Sequence, residues 1–462
     1  MKHVESARVG TRSATADTAA SADGGAISLA MTSTVLTPAT AEVRGLVQPG
    51  RVHSRVYTDP AIFDLEMERI FHRTWLFIGH ESEVSEPSMF RLRRMGRQPV
   101  IMVRSMDGQV RVLMNRCRHR GAKVCEVDQG KTKLFRCWYH GWIYDTTGRL
   151  IEVTGRDAYG PEFNQDAMGL SAPPRVESYR GFVFASLAKE GANLRSHLGL
   201  ATQMLDAVVD ASPTGRISAN LGAHKSVYRG NWKLVGMDGY HAPFVHASVL
   251  EAWKRKEGSG ISSTHRNEDH DDTASKARTR AFGNGHVMLD FRQARLSRYE
   301  DYLKFLAKIP GGSAYIEAMQ AAYGPAGAKP LIAVAGDPHL GIFPNLQVVG
   351  NQIRIINPVS CDQTELFNYP ISVEGMSEEM TASRLRQHES FYGPAGAGAP
   401  DDAEIFERVQ QGLMAEVDPW IDISRGLWRE TKDPDGSIVG HLSDEIPQRA
   451  MMRRWQELMS EA

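Results

Sequence analysis

Residues 117 to 140 read CRHRGAKVCEVDQGKTKLFRCWYH. The chain has 462 residues and only four cysteines, and three of the four fall in this one stretch. Cys117 stands two residues before His119, and Cys137 three before His140. If the two ends of a hairpin meet, two thiolates and two imidazoles become available at one point, which is the donor chemistry of a metal site. Four cysteines so distributed do not make the disulfide framework of a secreted domain. Cys125, inside the loop, has no counterpart in the spacing and reads as packing. Cys361 stands alone and reads as a buried small hydrophobe.

Two metals suit the donors. Zinc accepts Cys and His tetrahedrally. An iron–sulfur centre with two histidines on one iron carries less negative charge than an all-thiolate one, so its potential rises. The flanks favour iron, because Gly121 and Gly141 follow the histidines closely, as loops require when backbone N–H groups approach bridging sulfides. The C-x-H and C-x-x-H pair at this separation resembles the Rieske [2Fe–2S] domain.

Composition bounds the rest. Lys plus Arg number 54 and Asp plus Glu 55, so a formal net charge of -1 makes no electrostatic case for nucleic acid or an anionic membrane as partner. No apolar run is long enough to span a membrane, and the first thirty residues lack the apolar core of a signal peptide, which predicts a cytoplasmic protein. The Ala/Ser/Thr-rich start predicts a disordered tail over 1–45. From Asp59, DPAIFDLEMERIFHRTW predicts a short amphipathic helix within an N-terminal helical segment, 46–74. From about 75 to 190, segments such as FRLRR, QPVIMVRS, QVRVLMN and GFVFASL, punctuated by Gly-containing pairs, predict antiparallel strands. Beyond, in 191–462, helical runs (HLGLATQMLDAVVD, SRYEDYLKFLAKI, DDAEIFERVQQGLMAEV) alternate with strand-like IRIINPV and ELFNYPISV, an α+β texture.

A second metal site is suggested by NWKLVGMDGYHAPFVHASVLEAW, 231 to 253. His241 and His246 are five apart, about 140° around an uninterrupted helix, but Pro243 can break it and let both rings converge. Two histidines and one carboxylate leave open positions on non-haem Fe(II). The carboxylate is sought in GPAGAGAPDDAEIFERVQQGL, where Asp401 and Asp402 open a helix with Ile405, Val409 and Leu413 on one apolar face. The bland alternative makes Asp401 a helix cap with Glu404 as its partner. His224, His265, His270, His286 and His339 read as ordinary surface or core histidines.

The order of a Rieske signature, an N-W-K and D-x-Y-H-x4-H segment and a late D-D-x-E helix resembles the large subunit of aromatic ring-hydroxylating oxygenases, in the benzoate/toluate/salicylate-like branch. The likeness covers roughly residues 50 to 430, including YTDPAIFDLEMERIFHRTW, IFPNLQVV and IRIINP. It implies an α+β fold, with an antiparallel β Rieske domain over 75–190 and a helix-grip-like catalytic domain with an antiparallel sheet over 191–462. It implies Cys117, His119, Cys137 and His140 as ligands of a [2Fe-2S] cluster and His241, His246 and Asp402 as ligands of Fe(2+). It further implies a dioxygenase using O2 to cis-dihydroxylate an aromatic ring, with an aromatic carboxylate favoured. Ring monohydroxylation or demethylation is the alternative within the family, and a non-catalytic zinc or electron-transfer protein the alternative outside it. NAD(P)H would act through a separate reductase, with or without a ferredoxin, because no G-x-G-x-x-G loop stands out here. The implied assembly is a homotrimer, with or without a small β subunit (α3β3), in which the cluster of one chain faces the iron of its neighbour. Asp238, three residues before His241, would bridge them. Relatives usually carry a Glu-Asn pair before this aspartate, whereas Leu234-Val235-Gly236-Met237-Asp238 runs on directly, three residues shorter. Lys276, Arg278, Arg280, Arg292, Arg295 and Arg298 are cations available to a substrate carboxylate.

Overall fold

The computed structural model describes residues 40–238, 275–334 and 338–461. The first helix, α1 (Thr40–Gly45), lies inside the segment that composition reads as tail. It is held because Val43 is wholly buried and Glu42 pairs with Arg55 at 2.5 Å. Helix α2 (Pro60–Glu66) begins where the sequence predicts: the Asp59 side chain accepts from the backbone N–H of Ala61 at 2.9 Å and Pro60 supplies the first-turn φ. It runs on into a π-helical turn over Met67–Phe71. Ile62, Phe63 and Ile70 share one core with Trp232 and Trp455, far along the chain.

The β-rich part contains three antiparallel sheets. Strands β1 (Leu76–His80), β2 (Met89–Met95), β3 (Gln98–Arg104), β4 (Val110–Met114), β5 (Gln129–Lys131), β6 (Leu134–Arg136), β7 (Ile143–Asp145), β8 (Leu150–Glu152), β9 (Arg175–Tyr179) and β10 (Phe182–Ser186) assemble in the orders β4-β3-β2-β5, β8-β7-β6 and β9-β10-β1. FRLRR, QPVIMVRS, QVRVLMN and GFVFASL are β2, β3, β4 and β10, as expected. One face of β2, β3 and β4 packs in a core of its own, where Phe90, Leu113, Phe135, Trp142 and Tyr144 gather around the cysteines, while Met95, Val100, Met102 and Val112 on the same strands join the main core.

The remainder is built on a nine-stranded antiparallel sheet. Its strands are β11 (His224–Tyr228), β12 (Arg278–Gly283), β13 (His286–Asp290), β14 (Leu340–Ile342), β15 (Leu346–Val349), β16 (Gln352–Ser360), β17 (Gln363–Pro370), β18 (Thr431–Lys432) and β19 (Ile438–His441), in the order β11-β17-β16-β15-β14-β13-β12-β19-β18. β13, β14 and β15 are buried at every position, so the polar/apolar alternation of a one-sided sheet is missing from their sequences. Helices α3 (Trp232–Asp238), α4 (Glu378–Tyr392), α5 (Ala399–Gly412) and α6 (Ile446–Ser460) complete the frame. HLGLATQMLDAVVD is not one helix but two, Leu194–Leu198 and Thr202–Val209, divided at Gly199, whose φ of 50° no α-helix accommodates. The two parts are fastened by Asn345, whose side chain accepts from the Phe77 N–H and donates to the Phe77 carbonyl, both at 2.9 Å. Among the described residues no helix is long and apolar enough to cross a membrane.

Two buried imidazoles make stability fall with acid. Burial pulls His80 and His286 down to about 4. His286 is locked neutral: its Nε2 donates to the His197 carbonyl at 2.8 Å, and its Nδ1 accepts from the Phe343 N–H at 3.1 Å. The unfolded chain takes up these protons near pH 6.5 and the folded one near 4, so the stabilisation is present above 6.5 and lost as pH falls between the two. The unfolding free energy from urea titrations is expected to drop from pH 7 to pH 5 by about 1 kcal/mol per pH unit per histidine below 6.5. Replacing His286 by Asn should flatten that slope; an identical slope in the variant would refute the assignment.

Candidate metal centres

Two loops of the β-rich part present the cysteines and histidines. In the first, which follows β4, the Cys117 carbonyl accepts from Gly121 N–H at 3.0 Å and the Cys117 N–H donates to Ala122 O at 2.7 Å. In the second, between β6 and β7, Cys137 repeats both bonds with Gly141 (2.9 Å) and Trp142 (2.8 Å). C-x-H and C-x-x-H therefore occupy the same five-residue frame, and its fifth residue must be glycine. Gly121 has a φ of 79° and Gly141 of 74°, and a Cβ on Gly141 would meet the Thr154 hydroxyl at 2.7 Å.

The frame brings the two imidazoles together with ring centroids 4.5 Å apart, and His119 stacks on Trp142 at 5.0 Å. The Nδ1 atoms of both His119 and His140 are buried and have no hydrogen-bond partner. Two orphaned ring nitrogens side by side are costly unless something binds them. Burial, His140 and Arg120 all hold His119 below its usual range, so the ring is neutral, as a metal ligand must be. Both thiols are buried, and Cys117 is pushed up by burial. The Tyr144 hydroxyl accepts from the Arg118 N–H at 3.0 Å and lies 3.2 Å from Cys117 Sγ, where its proton is available to a thiolate. Burial and Cys117 together push that phenol far above its ordinary range. Two buried thiols and two buried, unpartnered Nδ1 atoms presented by paired loops fit a [2Fe–2S] group.

Tyr144 and Asn115 were not singled out from the sequence. The Asn115 side chain accepts from the N–H groups of Val124 and Cys125 at 3.0 Å each and donates to the Cys125 carbonyl at 2.7 Å, pinning the long loop. Cys125 is buried in the domain core, as the spacing suggested.

The second site is positioned by the N-W-K segment. Asn231 donates from its side chain to the carbonyls of Tyr57 (3.0 Å) and Cys361 (2.9 Å), and from its N–H to Gln410 Oε1 at 3.0 Å. Gln410 lies on α5, so α3 and α5 are tied at this point. Gln347 of β15 donates to the Val235 carbonyl at 2.7 Å, fixing α3 against the sheet. His241 and His246 lie outside the described residues, and so does the side chain of Asp238, whose backbone closes α3. Asp402 lies half-buried in the first turn of α5. Three expectations for this region need correcting. Asp401 is not the cap, since α5 starts earlier, with Gly398 at the cap position and Pro400 in the first turn. Of its expected apolar face, Val409 and Leu413 pack against the core beside the buried Phe406 and Gln410, while Ile405 is 47% exposed. Cys361 is only half-buried.

The candidate substrate cations are partly committed elsewhere. Arg280 reaches Asp290 at 3.3 Å and Asp433 at 2.8 Å, and Arg292 reaches Asp290 at 2.7 Å. Burial pushes the Asp290 carboxyl up, but the hydrogen bond and charge of Arg292, with Arg280, outweigh it and hold the group below its usual range. Arg278 donates to the backbone carbonyls of Ser275 and Ala277.

Comparison with known proteins agrees with this geometry. Residues 74–178 match the Rieske [2Fe-2S] domain, and residues 216–461 match the ring hydroxylating alpha subunit (catalytic domain). The chain is 35% identical to the 2-halobenzoate 1,2-dioxygenase large subunit of Burkholderia cepacia, over 83% of this chain and 82% of that one. It is 32% identical to the anthranilate 1,2-dioxygenase large subunit of Acinetobacter baylyi, with 83% and 82% covered. The structure superposes on naphthalene 1,2-dioxygenase with indole bound in the active site at a TM-score of 0.76 and 25% identity, covering 90% of this chain and 94% of that one. A catalytic-domain match spanning more than half of the chain, joined to a Rieske domain whose loops hold the expected donors, makes this chain a member of the ring-hydroxylating alpha subunits, oxygenases that carry a Rieske [2Fe–2S] cluster and a mononuclear iron.

Proposed function

We propose that this subunit is the terminal oxygenase that adds both atoms of O2 to the ring of an aromatic carboxylate, giving a cis-diol, with NAD(P)H electrons delivered by a separate reductase. The observation that carries the substrate class is the set of relatives: large subunits of 2-halobenzoate, anthranilate and toluate dioxygenases at 32–35% identity over about four-fifths of the chain. Biphenyl dioxygenase alpha subunits match at 29–30%. In this reading Cys117, His119, Cys137 and His140 hold the cluster and His241, His246 and Asp402 the iron. When bound, the cluster supplies electrons one at a time, and iron held by two histidines and a carboxylate keeps positions open for O2. The protein's own part is to keep the His119 imidazole neutral, to tie α3 to α5 through Asn231 and Gln410, and to set the Tyr144 hydroxyl beside Cys117 Sγ. We assign the cluster to a domain over 75–190 and the iron to 191–462, in a cytoplasmic homotrimer with or without a β subunit.

A second reading is favoured by one relative, the N,N-dimethyl phenylurea N-demethylase subunit alpha of Sphingobium, 32% identical over 79% of this chain. It gives monooxygenation or demethylation on the same centres. The test is anaerobic preparation followed by oxygen uptake with the reductase. The expected protein is red-brown, with about three irons per chain, two with inorganic sulfide and one without. Oxygen uptake should be stimulated by benzoate-type acids, with a cis-diol as product. A colourless protein with one zinc and no sulfide would end the Rieske reading. Turnover of naphthalene or biphenyl but no aromatic acid would overturn the substrate class, and formaldehyde from N-methyl substrates without diol would select the second reading.

A further inference from the structure

Away from the seven proposed ligands, a different group of donors converges where the sheet ends. β11 is an edge strand of the nine-stranded sheet, and His224 is its first residue. His388 and Glu389 lie near the end of α4, which Ser377 starts by accepting from the Met380 N–H at 3.2 Å. One ligand atom from each of His224, His388 and Glu389 lies within 4.8 Å of the other two. The two rings stand almost parallel, at 12°, with centroids 5.4 Å apart.

An ordinary ion pair explains part of this, since His224 Nε2 and Glu389 Oε1 are 2.8 Å apart. It does not explain His388, which is wholly buried. Its Nε2 lies 2.9 Å from Gln352 Oε1, and an amide oxygen only accepts, so Nε2 carries the proton. That fixes the tautomer and leaves the lone pair on Nδ1, which is buried and has no hydrogen-bond partner. A buried imidazole with one nitrogen anchored to an acceptor and the other bare has the arrangement of a metal ligand braced by its neighbour. Burial and then His224 hold this ring at about 4, so it stays neutral.

The surroundings leave room for the carboxylate. At Gly393 a Cβ would lie 2.9 Å from Glu389 Oε2 and 2.6 Å from the Glu389 carbonyl, so any side chain there would displace both. The nearby Arg354 guanidinium is turned to Asn368 at 2.9 Å and Gln347 at 3.0 Å, and Glu389 offsets its charge at the trio. Metal bonds of about 2.1 Å put tetrahedral ligands about 3.4 Å apart, so donors up to 4.8 Å apart must close by at most roughly 1.4 Å, while the 2.8 Å His224–Glu389 pair opens by roughly 0.6 Å. The exposed Glu389 and half-buried His224 can rotate to do so while His388 stays fixed.

We propose that His224, His388 and Glu389 form a third metal site, which takes one borderline divalent ion of the zinc class, keeps a position for water, and clamps edge strand β11 to α4. The inference does not depend on the substrate or the iron assignments. It shares no residue with them.

The test uses the full-length, iron-loaded protein with Zn2+ as the probe. After dialysis against micromolar free Zn2+, wild type is expected to retain about one more zinc per chain than either Glu389→Gln or His224→Gln, with iron and sulfide equal in all three. Both substitutions fall on partly exposed residues and keep side-chain size, so folding is not at stake as it would be at His388. Anomalous scattering at the zinc edge from a soaked crystal should put a peak between His388 Nδ1, His224 and Glu389. Equal zinc in wild type and both variants, or zinc only at the proposed iron positions, would overturn the proposal.

Discussion

Asp238→Asn is expected to leave both iron sites loaded and the cluster reducible while turnover falls by at least about a hundredfold. The position is what motivates it: Asp238 closes α3, three residues before His241, on a helix held by Asn231 at its start and by the Gln347 bond to the Val235 carbonyl. In the proposed trimer this carboxylate would bridge the cluster histidine His140 of one chain and His241 of the next, the role the substitution tests. Asparagine keeps the shape and one acceptor but removes the charge. A merely structural aspartate would show itself as lost iron or a lowered unfolding midpoint, with the remaining loaded protein fully active. Three readouts therefore separate the cases: iron and sulfide content, the absorbance change on reducing the cluster, and product per oxygen consumed. Wild-type coupling in the variant, or a fully active monomer, would remove Asp238 from this role.

The cluster loops were legible in the sequence because thiolates and imidazoles are scarce and their spacing is local: each donor pair lies within one five-residue turn closed by its own glycine. Tyr144 was not legible, since nothing in WIYD marks a strand tyrosine whose hydroxyl will lie 3.2 Å from a sulfur 27 residues earlier. The same holds for His224, read as an ordinary surface or core histidine, whose companions are more than 160 residues away on α4. Helix α5 shows the other kind of failure. Its charged start is as expected and Val409 and Leu413 pack against the core, but Ile405, placed on the same stripe, is 47% exposed. The core is also met by Phe406 and by Gln410, a polar residue buried because Asn231 and Tyr57 satisfy it. Arg280 and Arg292 looked available to a ligand because Asp290, between them in sequence, was not seen to lie beside both across the β12–β13 hairpin.

Lys233→Met is expected to destabilise the protein by about 3–5 kcal/mol and to lower its iron content with it. Lys233 and Glu66 are 2% and 0% exposed, with Nζ to Oε1 at 2.6 Å. Trp455 Nε1 donates to the same oxygen at 2.6 Å and Trp232 Nε1 to the other at 2.8 Å, so the carboxylate is satisfied on both sides by α3 and α6. Burial pulls the Lys233 ammonium down, and the charge and hydrogen bond of Glu66 oppose that. Two indole donors do not neutralise a buried charge, so removing only the lysine strands Glu66 as an uncompensated anion where water does not reach. The double variant Lys233→Met/Glu66→Gln removes both charges and keeps an amide oxygen for one indole, so it should recover at least half of the loss. Urea unfolding of the two single variants and the double decides it. Additive losses, or a Lys233→Met cost under about 1 kcal/mol, would mean that packing alone holds the N-W-K segment. If instead the pair is coupled as expected, iron occupancy should follow stability across the three variants. α3 is the strut between Glu66 and the segment carrying His241, and it cannot shift at Lys233 without moving at Asp238.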